Sequence, residues 1–215
     1  MNVFTLIQAS GVIGYTIILL SFVAVALIIE YAVQIRRSIL SPPALGGELR
    51  QLLAQGQLAP ALEKCRNDKS VLSQILLAAL LQCEFGWAAV EKAGEEEAAK
   101  QASKLYRRAE YLSVIGNIAP MLGLLGTVVG MVFAFEQLAS AEGYVRAADF
   151  AQGIYLALVT TVEGLLVAIP SLTAYSFFNN RIAALMTETL TAADTVLAVV
   201  RKGLRASLKT AETRK

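Results

Sequence analysis

Apolar and polar positions divide this chain into long blocks. Apolar residues run almost unbroken from Gly11 to Ile29 ("GVIGYTIILLSFVAVALII"), from Ser113 to Phe135 ("SVIGNIAPMLGLLGTVVGMVFAF") and from about Phe150 to Phe178. Each block approaches or exceeds the roughly 20 apolar residues that a helix needs to cross a hydrocarbon core. The polar stretch 45–110 is rich in Ala, Leu, Glu, Gln and Lys, all good helix formers. Pro42, Pro43, Gly46 and Gly47 predict a break after the first block. No Gly or Pro interrupts residues 95–115, so the second block is expected to continue a helix begun in the polar stretch. Glu96 and Lys100 stand at the i,i+4 spacing that supports an exposed helix. After the third block, Ile182, Leu185, Ala193, Val196, Val200, Leu204 and Leu208 recur at helical spacing, with a frayed tail expected beyond Leu208. There is no strand pattern, internal repeat or low-complexity segment.

Positive charge gives these blocks a direction. Residues 31–112 hold eleven Lys and Arg and residues 179–215 hold seven, whereas residues 140–149 hold only Arg146 and residues 1–30 hold none. The positive-inside rule makes the two rich regions cytoplasmic. The first block has no Lys or Arg before it and no small-residue cleavage pattern after it, but is followed by Arg36 and Arg37. It reads as an anchor, not as a cleaved leader. The expected fold is therefore all-α and integral to a membrane, with three transmembrane helices and long cytoplasmic helical extensions. The expected divisions are an N-terminal segment with the first span (1–30), a cytoplasmic helical region (31–112), a second span (113–139), an outer loop (140–149), a third span (150–178) and a cytoplasmic helical tail (179–215).

Composition narrows the chemistry. Of the 215 residues, 56% are hydrophobic and 17% charged, against about 25% charged in soluble domains. A net charge of +2 with no basic cluster interleaved with aromatics excludes nucleic acid as a partner. The absence of histidine removes the commonest metal ligand and general base. Cys65 and Cys83 have no CxxC spacing and read as reduced thiols. No metal or cofactor is expected, and no nucleophile–base constellation marks an enzyme. "GLLGTVVG" lacks the Lys-Ser/Thr of a phosphate-binding loop.

The candidate residues lie in the second and third spans. Gly116, Ala119, Gly123, Gly126, Thr127, Gly130 and Ala134 fall along one face of the second. Gly153, Ala157, Thr160, Gly164, Ala168 and Ser171 make a stripe on the third. Gly126 and Gly130 form a GxxxG pair, which lets helix backbones approach closely in lipid. Two such stripes imply tight helix contacts within or between subunits, with Gly126 and Gly130 expected at a subunit contact. Thr127, Thr160 and Thr161 are read as lining a proton path with Glu163, beside the simpler reading of a hydroxyl bonded back to its own helix. Thr127 and Thr161 are nevertheless expected at similar depth, with Glu163 at the same level near the middle of the bilayer. A central charge costs about 2.5–3.5 kcal/mol on insertion scales, and such residues usually face a bundle interior or a water-filled path. Glu163 is read as part of a proton path, as a protonated carboxyl bonded to a neighbour, or as an ion pair orienting a partner.

These residues carry a resemblance. "APMLGLLGTVVGMVFAF" and "ALVTTVEGLLVAIPSLTAYSFFNNRI" resemble the second and third spans of the MotA/TolQ/ExbB proton-channel family, in its ExbB/TolQ branch, and "LIQASGVIGYTIILLSFVAVALIIE" followed by "RR" resembles the first span. The resemblance implies a homo-oligomer, a pentamer, in the bacterial inner membrane with a periplasmic N-terminus and a cytoplasmic C-terminus. It implies a dimer of an ExbD/TolR-like single-span protein inside the ring and a TonB/TolA-like protein as the driven partner. Proton flow down the membrane gradient would be coupled to mechanical work. Thr127 and Thr161 take the positions of the family's pore threonines. Many members have a glutamate where Leu156 stands, and Glu163 lies seven residues later, displaced along the helix. A non-conducting membrane scaffold that anchors a partner is the alternative function.

Overall fold

The computed structural model describes residues 11–140 and 147–212. The expected N-terminal segment 1–10 and most of the expected 140–149 loop, Arg146 included, lie outside the described residues. Helix α1 spans Gly11–Gln34, α2 Arg37–Leu40, α3 Pro43–Ala54, α4 Leu58–Asn67 and α5 Val71–Leu80. A 3-10 turn at Cys83–Phe85 precedes α6, Trp87–Ser140, and α7 runs over Ala147–Glu212. No strand occurs among the described residues. Helices α1, α6 and α7 are long and apolar enough to cross a membrane. The fold is all-α, with three apolar helices, two of which extend far beyond their apolar blocks.

The chain forms two compact units. The first comprises Met1–Tyr31 and Ala109–Phe177. Its α1 buries a single stripe, Gly14, Ile17, Ala24 and Tyr31, and exposes Val12, Leu19, Phe22 and Ile29 on its other sides. A helix that is apolar all round suits a hydrocarbon surrounding. Pro120 lies inside α6 and Pro170 inside α7 without ending either helix. Spanning helices tolerate proline where neighbouring helices and hydroxyl side chains satisfy the freed carbonyls.

The second unit comprises Ala32–Arg108 and Phe178–Lys215. Its core joins Leu45 and Leu49 of α3, Ala61 and Cys65 of α4, and Leu72, Ile75, Leu76 and Ala79 of α5. From α6 it takes Val90 and Ala98, and from α7 Ile182, Leu185, Met186, Ala193, Val196 and Leu197. Ser70 caps α5 by accepting the Ser73 amide at 3.2 Å, and Asp68 accepts the Ser70 amide at 2.6 Å. Burial raises the Asp68 pKa, but the hydrogen bonds from Ser70 and Ser73 outweigh it and hold the carboxyl below its ordinary 3.8. The polar surface is tied by Arg37 to Glu188, by Arg108 to Gln34 at 2.6 Å, and by Arg201 stacked 5.2 Å over the Trp87 ring.

Three local expectations are corrected. The break after the first apolar block is short: Pro43 opens α3, where its missing N–H costs nothing, and Gly46 and Gly47 are helical. Glu96 pairs with Lys92 at 3.8 Å, while Lys100 turns to Glu97 at 2.9 Å. Lys92 also stands four residues from Glu96, and Glu97 accepts from both Lys100 and Gln101. Helix α7 continues to Glu212, past the point where fraying was expected. Of the expected C-terminal stripe, Ile182, Leu185, Ala193 and Val196 are buried and Val200 is half-buried. The side chains of Leu204 and Leu208 lie outside the described residues.

Candidate functional site

The small residues of α6 and α7 meet each other along an antiparallel seam. A Cβ placed on Gly123 would stand 2.8 Å from the Thr160 carbonyl oxygen and 3.0 Å from Thr161 Cα. One on Gly126 would lie 2.6 Å from Thr160 Cβ, one on Gly130 3.1 Å from Ala157 Cβ, and one on Gly153 2.6 Å from Ala134 Cβ. Gly164 approaches the Ala119 carbonyl as closely, at 2.5 Å for such a Cβ. Backbones at this separation gain dispersion along their whole length, which is the main attraction between helices in lipid. The expectation of a subunit contact at Gly126 and Gly130 is thereby corrected, because these glycines face the neighbouring helix of their own chain.

Thr160 belongs to this seam. It is 4% exposed, and its hydroxyl donates to the Ala157 carbonyl at 2.8 Å and reaches the Gly123 carbonyl at 3.3 Å. A side chain enclosed between two helices of one chain does not line a path formed outside them. Thr161 is half-buried, with its hydroxyl 3.4 Å from the Gly123 carbonyl. Thr127 is also half-buried and donates to the Leu124 carbonyl at 2.7 Å.

The Gly126–Thr160 contact fixes the sides of the seam. Consecutive helical residues are turned about 100° apart. Thr127 follows Gly126, and Thr161 follows Thr160, so both swing to the opposite shoulder of the seam. Thr127 and Thr161 therefore share one side of the α6–α7 pair. Around them on that side, Leu124, Met131, Leu158 and Leu165 are exposed, so none of the described residues of the unit covers it. The seam register, with Gly126 against Thr160 and Gly130 against Ala157, puts Thr127 level with residue 159. Thr161 is about 3 Å from that level along the axis.

Glu163 falls elsewhere. It is half-buried, with its Oε2 atom buried. Three residues beyond Thr160, it sits about 60° further out on the Thr160 shoulder, away from Thr127 and Thr161. It is level with Gly123, about 6 Å along the axis from Thr127 and not at the same level. Val159 and Val167, one turn to either side on the same flank, are both buried. The remaining helix of this unit is α1. Leu156 is half-buried on the same flank.

Among the described residues no group of three His, Cys, Asp or Glu side chains could hold a metal ion. Cys65 and Cys83 are free thiols. Burial, and then the Asp68 charge, pushes Cys65 up to about 11, and burial also raises Cys83.

Three apolar helices and a glycine-lined seam define a multi-pass helical membrane protein. Residues 67–190 match the MotA/TolQ/ExbB proton channel family, and the chain belongs to that family, in its ExbB/TolQ branch. It is 32% identical over 183 residues to a biopolymer transport protein ExbB homolog of Methanothermobacter thermautotrophicus, covering 84% of this chain and 64% of that relative. To biopolymer transport protein exbB1 of Vibrio cholerae it is 29% identical, over 76% of this chain and 73% of the relative. To the Tol-Pal system protein TolQ of Pseudomonas aeruginosa it is 33% identical, over 50% of this chain and 46% of the relative. The chain thus spans less than two thirds of the length of the first and third of these relatives.

Proposed function

We propose that this protein is a subunit of a proton-driven motor in a bacterial inner membrane. Its N-terminus would be periplasmic, and the second compact unit and C-terminus cytoplasmic. With an ExbD/TolR-like single-span dimer it couples proton flow to mechanical work on a TonB/TolA-like protein. Copies of the chain close a ring, a pentamer by family resemblance. The carrying observation is the side of the α6–α7 pair shared by Thr127 and Thr161. Those two hydroxyls lie close in depth on a face where the neighbouring Leu124, Met131, Leu158 and Leu165 are apolar and exposed. A ring built with that face inward places hydroxyls from every subunit at one depth of a narrow path. Thr160 and Glu163, expected on the same path, are assigned instead to the seam and to the opposite flank.

The energy source is sufficient in kind. One elementary charge crossing 100 mV releases about 2.3 kcal/mol, so a few protons supply a large conformational step. The test is proton uptake into liposomes holding the purified complex of this chain with its single-span partner. Uptake driven by an imposed potential supports the motor, and its absence from an intact complex favours the non-conducting scaffold.

A further inference from the structure

Thr161 and Glu163 are two residues apart on α7, which turns their side chains about 200° from one another. One cannot share the other's face. Glu163 lies with Val159 at 8% exposure and Val167 at 9%, on a flank too well covered to be left to lipid or water. Within this unit α1 is the helix available to cover it. The inward stripe of α1 carries Gly14, Ile17, Ala24 and, half-buried beside them, Ser21, whose hydroxyl donates to the Ile18 carbonyl at 2.8 Å. Ser21 is central in the first apolar block and Glu163 is central in the third. An antiparallel bundle of spanning helices brings such positions to similar depth, where a carboxyl held by protein contacts is far cheaper than one facing hydrocarbon.

We infer that Glu163 works inside the subunit as a positioning residue, its carboxyl on the α1-covered flank holding α1 against the α6–α7 pair, and that it does not line the Thr127–Thr161 side. This rests on the proposed function only in taking that side as the open one. The role needs hydrogen-bonding capacity at Glu163 and not a titrating proton, which separates it from a path residue.

The test uses the assembled complex in membranes, with both native cysteines replaced by alanine. Thr127→Cys, Thr161→Cys and Glu163→Cys are each exposed to a small cationic methanethiosulfonate. Protection of Glu163→Cys beside labelled Thr127→Cys and Thr161→Cys is expected. Labelling of Glu163→Cys as fast as Thr161→Cys overturns the inference. Protection at all three positions overturns the open-face reading while supporting the covered flank. Proton uptake supplies a second readout: Glu163→Gln is expected to keep both assembly and uptake, and Glu163→Leu to lose uptake. Loss of uptake by Glu163→Gln in an intact complex contradicts the positioning role, as does full uptake by Glu163→Leu.

Discussion

Thr160 of α7 packs onto Gly126 of α6 so closely that a Cβ on the glycine would lie 2.6 Å from the threonine Cβ. This contact sets the register of the seam. It also decides which side chains remain available to the rest of an assembly.

Gly126→Leu should therefore damage the subunit itself and not merely its association. A leucine cannot be accommodated by rotating a distant side-chain end, because the Cβ, Oγ1 and Cγ2 atoms of the buried Thr160 stand in its way. Overpacking of this kind costs typically 1–3 kcal/mol, and more where backbone must shift. Gly47→Ala is the contrasting change. Gly47 is exposed within α3 with nothing within 4 Å of an added Cβ, so alanine there should stabilise by about 0.5–1 kcal/mol. Thermal unfolding in detergent checks both, and a Gly126→Leu protein as stable as the wild type would refute the seam.

Sidedness is testable with cysteines. Cys65 is 1% exposed and its thiol is pushed up to about 11, so it stays silent to an impermeant reagent whichever compartment it faces. Exposed positions are needed. In spheroplasts of a cysteine-free background, Ala139→Cys should label from outside, and Glu84→Cys should label only after permeabilisation. Both residues are exposed at the surface of their helices or turns. The reverse pattern would invert the topology.

Acid should weaken the second unit through Asp68. Its folded pKa is depressed, so its contribution is present above the ordinary carboxylate value and is lost as pH falls through the lowered one. Asp68→Asn keeps an oxygen that accepts the Ser70 amide but removes the titration. The variant should be less stable than wild type near neutrality and lose less stability on acidification below about pH 4. Parallel pH–stability curves for the two proteins would exclude this role.

Much of the architecture was legible because burial in lipid demands long apolar runs. The three blocks and the helical character of the polar stretches follow from that requirement. Finer features depended on tertiary contacts. Gly46 looks like a helix breaker, yet it is helical in α3, whose Leu45 and Leu49 pack into the core. The glycine stripes of α6 and α7 are visible as stripes, but spacing alone does not say whether they meet within one chain or between two. Thr160 reads as polar and available until its seam contacts are known. The separation of Glu163 from Thr161 was available in the sequence, since two helical residues apart means nearly opposite faces. Depth along the axis is independent of rotation about it, so similar depth does not imply a shared face.

The central claim is that Thr127 and Thr161 line the proton path while Thr160 only packs the seam. Valine replaces threonine with nearly the same shape and no hydroxyl. Proton uptake into liposomes under an imposed potential should be measured for the assembled complex carrying Thr127→Val with Thr161→Val, and for the complex carrying Thr160→Val. The account predicts loss of uptake for the first, with assembly intact, and wild-type uptake for the second. Undiminished uptake by an intact complex lacking both the Thr127 and Thr161 hydroxyls would contradict it.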